Sequence, residues 1–104
     1  MITKYERYCI ICGKPAEAVH HLIEGTANRK KSEKFDLKMP LCNECHNMTD
    51  NSVHFNTKMN AMSHIIGQLW YERNYILSKR ELPFEGLDEE ARESFRREFG
   101  KSYL

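Results

Sequence analysis

Eight side chains between Cys9 and His54 are of types that bind metal ions or move protons: Cys9, Cys12, Cys42 and Cys45, and His20, His21, His46 and His54. The cysteines form two Cys-x-x-Cys pairs with 29 residues between Cys12 and Cys42. Four thiolates so paired make a closed tetrahedral Zn2+ shell with no position open to substrate, so this metal is structural. The gap is wider than in compact zinc ribbons and leaves room for a hairpin between the two halves of the site. A lone histidine is more often a packing or surface residue than a ligand. Here two are adjacent in the apolar stretch Val19-His20-His21-Leu22-Ile23, and two more follow the zinc ligands. Burying such a pair without partners is unfavourable, which turns the cluster toward chemistry. Neighbours on a strand face opposite ways, so the pair divides. One joins His46 and His54 on a second, divalent ion; the other stays unligated and takes a proton from water, as a group with a pKa of about 6.5 can. An ion opposite it polarises a phosphate oxygen and stabilises the leaving oxygen. The expected chemistry is metal-assisted phosphodiester hydrolysis.

The elements that must position these groups are few. At 104 residues the chain has room for one small domain, residues 1–104, which buries about 60–68% of its unfolded surface and so needs a staple. A balance of 16 basic to 15 acidic residues, net +1, does not exclude nucleic acid, because phosphate binding needs locally clustered charge. The polar start, Met1-Ile2-Thr3-Lys4, is unlike a signal peptide, and no apolar run approaches the ~20 residues of a membrane span. A cytoplasmic location without membrane association is expected, where thiols stay reduced and bind metal rather than form disulfides.

Along the chain, residues 1–8 suit a short strand leading to Cys9, and Gly13 suits the tight turn of a zinc knuckle. Ala16 to Ile23 reads as a strand. Residues 25–34 have no apolar period and read as a loop; in it Arg29, Lys30, Lys31 and Lys34 stand against Glu33 alone. Taken alone that is a solvated loop, and beside a nuclease site it is a phosphate-contacting surface. Phe35 to Pro40 alternates like a returning strand. Met59, Met62, Ile66, Leu69 and Ile76 mark an amphipathic helix over about 57–78, in which Gly67 implies close packing. His64 reads as a packing or surface histidine on that helix, and Trp70, Tyr71 and Tyr75 as core rather than base-stacking groups. Leu82 to Gly86 breaks the pattern. A second helix runs over about 88–99, with Asp88 as its cap, Ala91, Phe95 and Phe99 on one face and Gly100 at its stop.

With both knuckles, the His-His pair and the Cys-His step in place, the chain resembles the HNH nucleases of the ββα-metal, or treble-clef, class. It is most similar to small phage HNH proteins related to phage recombination-enhancement nucleases. The resemblance runs through Cys9-Ile10-Ile11-Cys12-Gly13, Val19-His20-His21-Leu22, Ala27-Asn28-Arg29-Lys30, Pro40-Leu41-Cys42 to Cys45-His46, Val53-His54-Phe55-Asn56 and the tail from Glu98 to Leu104. It implies a small α+β fold: a zinc-stapled treble-clef core over about 8–56, with a β-hairpin and two C-terminal helices. It also implies His20 as metal ligand, His21 as general base, His46 and His54 as further ligands, Mg2+ or another divalent ion in catalysis, and 5′-phosphate products. The middle asparagine of the family motif has no counterpart before the second cysteine pair, where Phe35-Asp36-Leu37 stands; Asp36, Asn47 and Asn56 are candidates to replace it.

The expected function is a DNA endonuclease of low intrinsic sequence specificity, since no helix-turn-helix or other reading module fits in the remaining ~50 residues. Targeting then comes from DNA structure or a partner, and the resemblance suggests a recombinase or another phage DNA-processing protein in a bacterial host's cytoplasm. The alternative is a non-catalytic zinc module that binds nucleic acid or protein, in which an unligated second histidine has no use.

Overall fold

The alternation around the histidines forms a hairpin. In the computed structural model, which describes residues 1–79 and 86–104, β1 (Ala18–His21) pairs antiparallel with β2 (Lys38–Leu41). Ala18 lies opposite Leu41, Val19 opposite Pro40, His20 opposite Met39, and His21 opposite Lys38. Pro40 has no N–H to give, which a two-stranded ribbon tolerates, and its carbonyl accepts the amide of Ile10 at 3.0 Å. That bond fastens the first cysteine pair to the hairpin. Residues 1–8 do not form the expected strand: Tyr8 makes a single bridge with Pro15, while the Ile2 amide donates to the Lys38 carbonyl at 2.9 Å.

Residues 25–34, expected as a loop, instead contain α1 (Thr26–Lys34). Ala27, Arg29, Lys30, Lys31 and Glu33 are good helix formers, and the apolar period is missing because only Ser32 is buried. Its hydroxyl donates to the Ile23 carbonyl at 3.0 Å and accepts the Ile23 amide at 3.3 Å, which pins the helix to the end of β1. α1 stops in a left-handed turn at Asp36, φ 57°. The Asp36 amide bonds to the Glu33 carbonyl at 3.2 Å and the Leu37 amide to the Ser32 carbonyl at 2.7 Å, the paired bonds of a Schellman stop. Phe35 to Leu37 are thus helix terminator, and β2 begins at Lys38.

After Cys42 a single π-helical turn, Glu44–Met48, ends where the turn-forming residues begin. α2 (Thr57–Lys79) follows, with the Asn56 side-chain oxygen accepting the Met59 amide at 3.0 Å as its cap. Its buried face is Ser63, Gly67, Gln68, Tyr71 and Glu72. The expected stripe is displaced: Met62 and Leu69 are each 53% exposed. The reason is proximity, since a Cβ on Gly67 would stand 2.9 Å from both Leu22 Cβ and Ile23 Cδ1. Only small or hydrogen-bonding residues fit that close to a strand end.

α3 (Leu87–Phe99) buries Ala91, Phe95 and Phe99, the expected face. Its cap is Gly86 rather than Asp88, which lies in the first turn with Glu89 and Glu90, where acidic groups suit the helix dipole. Gly100, φ 84°, ends it. The expected interruption at residues 82–85 lies outside the described residues. The fold is a small α+β arrangement whose core, including Leu22, Ile23, Leu37, Leu41, Val53 and Phe95, lies between the hairpin and the helices. Among the described residues no helix is long and apolar enough to cross a membrane.

Candidate functional site

The sulfurs of Cys9, Cys12, Cys42 and Cys45 all lie within 4.8 Å of one another. Cys12 Sγ and Cys42 Sγ are 3.6 Å apart, close to the ~3.8 Å that two sulfurs sharing a tetrahedral zinc at about 2.3 Å would show. The knuckle geometry is local: the Cys9 amide donates to the Lys14 carbonyl at 2.7 Å and the Gly13 amide to the Cys9 carbonyl at 2.9 Å, a turn that needs φ 79° at Gly13. Burial pushes the Cys9 thiol up, but the backbone amides of Cys42, Cys12 and Ile11 outweigh it and bring it down to about 6. Burial, then the neighbouring thiols, pushes Cys45 up. Crowded thiolates oppose one another, and a divalent cation relieves that conflict. The four cysteines are close enough to hold one metal ion such as zinc.

A second group, His20, His46 and His54, also offers ligand atoms within 4.8 Å of one another. His20 comes from β1, His46 from the π-helical turn, and His54 from the segment after it, whose amide donates to the His46 carbonyl at 3.1 Å. Hydrogen bonds fix which nitrogen of His20 is free. Ser63 Oγ donates to the Leu22 carbonyl at 3.0 Å and lies 2.9 Å from His20 Nε2. Its one proton is spent on Leu22, so His20 Nε2 carries the hydrogen and Nδ1 keeps the lone pair. Glu24 Oε1 lies 3.2 Å from His54 Nδ1. His54 Nε2 and His46 Nε2 share a hydrogen bond at 2.9 Å. Two imidazole nitrogens on one metal at about 2.1 Å stand about 3.0 Å apart at a right angle. Burial, then His54 and His46, holds His20 down to about 3, and burial, then His54, lowers His46. Neutral imidazoles of this kind are ligands in waiting.

His21 faces away from His20, as strand alternation requires, toward α1. Its Nε2 lies 2.8 Å from Glu33 Oε2, and Lys38 Nζ lies 2.8 Å from Glu33 Oε1. Lys38, then His21, holds the Glu33 carboxyl below the usual range. Both histidines of the pair, with Glu24, Arg29, His46 and His54, line one surface pocket of about 470 Å³.

The four basic residues of α1 separate. Arg29 lines the pocket. Lys31 Nζ bonds the Glu98 carbonyl near the end of α3, Lys34 lies over the Phe35 ring at 5.0 Å, and Lys30 is exposed. Of the candidates for the motif asparagine, Asp36 pairs with the N-terminal amine and Lys38, Asn47 is exposed, and Asn56 caps α2. His64 packs on Tyr103 with ring centroids 4.7 Å apart, a packing histidine. Tyr71 is in the core.

Sequence reasoning missed Glu24, Glu33, Lys38 and Ser63. Glu24, three residues past His21, was open to notice; Ser63 needed knowledge of how close α2 approaches, and Glu33 needed the helix. Comparison of the chain with family models, with curated proteins and with solved structures returns no match.

Proposed function

We propose that the protein is a metal-dependent endonuclease of the HNH type, which hydrolyses DNA phosphodiester bonds on a treble-clef, ββα-metal core. The observation that carries this is the grouping around one pocket: His20 clusters with His46 and His54, while His21, its neighbour in the strand, stands apart from that cluster. A divalent ion held by the three imidazoles would polarise the phosphate and stabilise the leaving oxygen. His21 accepts the proton of the attacking water. Arg29, from α1, pairs with a phosphate oxygen. The four thiolates keep the hairpin in place with structural zinc.

The donor set bears on the catalytic ion. Mg2+ prefers oxygen ligands, whereas three neutral imidazoles suit Zn2+, Fe2+, Co2+ or Ni2+. We therefore expect activity with first-row transition metals to exceed that with Mg2+.

The test is plasmid nicking by the zinc-loaded protein with each ion in turn, on single-stranded, duplex and branched DNA and on RNA. His21→Ala should keep zinc and fold and lose about a hundredfold or more in rate. Full activity in that variant would sink the general-base role. A wild-type protein that binds DNA but cuts nothing with any ion would instead establish a non-catalytic zinc module.

A further inference from the structure

The aim of His21 is set by a residue outside the family motif. A histidine that is to deprotonate water must offer a lone pair on the right nitrogen, and a free ring interconverts between tautomers. On His21 the ambiguity is removed by α1. Glu33 Oε2 stands 2.8 Å from His21 Nε2, and an ionised carboxylate can only accept, so Nε2 carries the hydrogen. Nδ1 is then left with the lone pair. The carboxylate is itself clamped: its other oxygen accepts from Lys38 Nζ at 2.8 Å, and Lys38 is the residue directly opposite His21 in the hairpin. One carboxylate thus spans a cross-strand pair, gripping both members.

The helix gives the clamp its stiffness. Glu33 lies in the last turn of α1, where its carbonyl accepts the Asp36 amide in the Schellman stop, and Ser32 beside it is pinned to both backbone groups of Ile23. The side chain therefore starts from a helix end pinned to Ile23, two residues beyond His21. Neither Asp36 nor Asn56, both candidates for the missing asparagine, is available, since each is committed elsewhere.

On the nuclease reading above, we propose that Glu33 is the positioning residue for the general base. It fixes the Nε2–H tautomer and ring rotation of His21, so that Nδ1 receives the proton of the attacking water, and Lys38 keeps its carboxylate from turning away. Glu33 touches neither substrate nor metal. Orienting partners of this type are typically worth about 10- to 100-fold in activity.

The experiment joins two readouts on the metal-loaded, full-length protein. Two-bond ¹⁵N–¹H spectra of the histidine rings report the His21 tautomer directly, and steady-state nicking reports kcat and KM. Wild type should show the Nε2–H form alone. Glu33→Ala should give a tautomer mixture and lower kcat about 10- to 100-fold with KM little changed. Glu33→Gln, whose amide oxygen can still accept, should restore the Nε2–H form and most of kcat. A nicking wild type in which Glu33→Ala alters neither tautomer nor kcat overturns the Glu33 proposal alone. A wild type that nicks nothing overturns the nuclease reading, and the base-positioning role with it, whatever the tautomer.

Discussion

Glu24 Oε1 lies 3.2 Å from His54 Nδ1 and accepts the side-chain amide of Asn60 at 2.7 Å. It is a carboxylate held by α2 and set beside one ring of the three-histidine cluster. Such a partner sets tautomer and basicity together. Glu24→Ala should weaken divalent-ion binding at the histidine cluster about 10- to 100-fold while the four-cysteine site keeps its zinc. Calorimetric titration of the zinc-loaded protein with Mn2+ or Co2+ measures this, and an unchanged affinity would reduce Glu24 to a surface ion pair.

Removal of one thiol tests the staple. Cys42 is buried and adjoins the end of β2, so Cys42→Ser should lose zinc and cooperative folding together. A folded, zinc-free Cys42→Ser protein, judged by dispersed amide spectra and metal analysis, would refute the structural role.

Gly67 tests the approach of α2 to β1. In an open helix, Gly67→Ala would stabilise by about 1 kcal/mol. Here the new methyl meets Leu22 Cβ and Ile23 Cδ1 at 2.9 Å. Leu22 Cβ is anchored to backbone and cannot swing aside, so overpacking, about 1–3 kcal/mol, wins. Urea unfolding should show a net loss of up to about 2 kcal/mol; a gain would mean that the helix stands off the strand.

The pH dependence of stability should carry the signature of His20. Burial, then His54 and His46, holds its folded pKa at about 3, below the unfolded value of about 6.5. Between those values the unfolded chain binds the extra proton. The contribution is therefore fully present above about pH 6.5 and is lost as the pH falls toward about 3, at up to about 1.4 kcal/mol per pH unit. Urea midpoints at about pH 7.5 and about pH 5 should differ more in the wild type than in His20→Gln. Equal differences would show that His20 is not the group responsible.

What was legible in the sequence was the part set by spacing and by strong local chemistry. Two Cys-x-x-Cys pairs meet, the hairpin lies between them, and alternation sends His20 and His21 to opposite sides. Phe95 and Phe99 announced their face of α3 through helical period. What was hidden depended on tertiary approach. α1 buries a serine rather than an apolar stripe, so no periodicity marks it, and Glu33 was hidden with it. α2 turns Ser63 and Gly67 inward because a strand end with a free carbonyl needs a donor and little bulk, and this reverses the hydrophobic preference on which a pattern is read. Ser63, beside His20, and Lys38, beside Glu33, were illegible because each is recruited by geometry rather than by neighbourhood in the chain, whereas Glu24 lay close enough to the histidine pair to be read.

Cys45 and His46 are consecutive, and the carbonyls of both accept amides from the returning segment, Val53 at 2.8 Å and His54 at 3.1 Å. A sulfur of the four-cysteine cluster and a nitrogen of the three-histidine cluster therefore share a single backbone ladder. Were each cluster to hold an ion, ordering that ladder for one would order it for the other, and occupancy of each site would raise affinity at the other by the same factor. Ions bound at both clusters would then act as mutual allosteric effectors, and loss of an ion from the cysteines would weaken binding at the histidines.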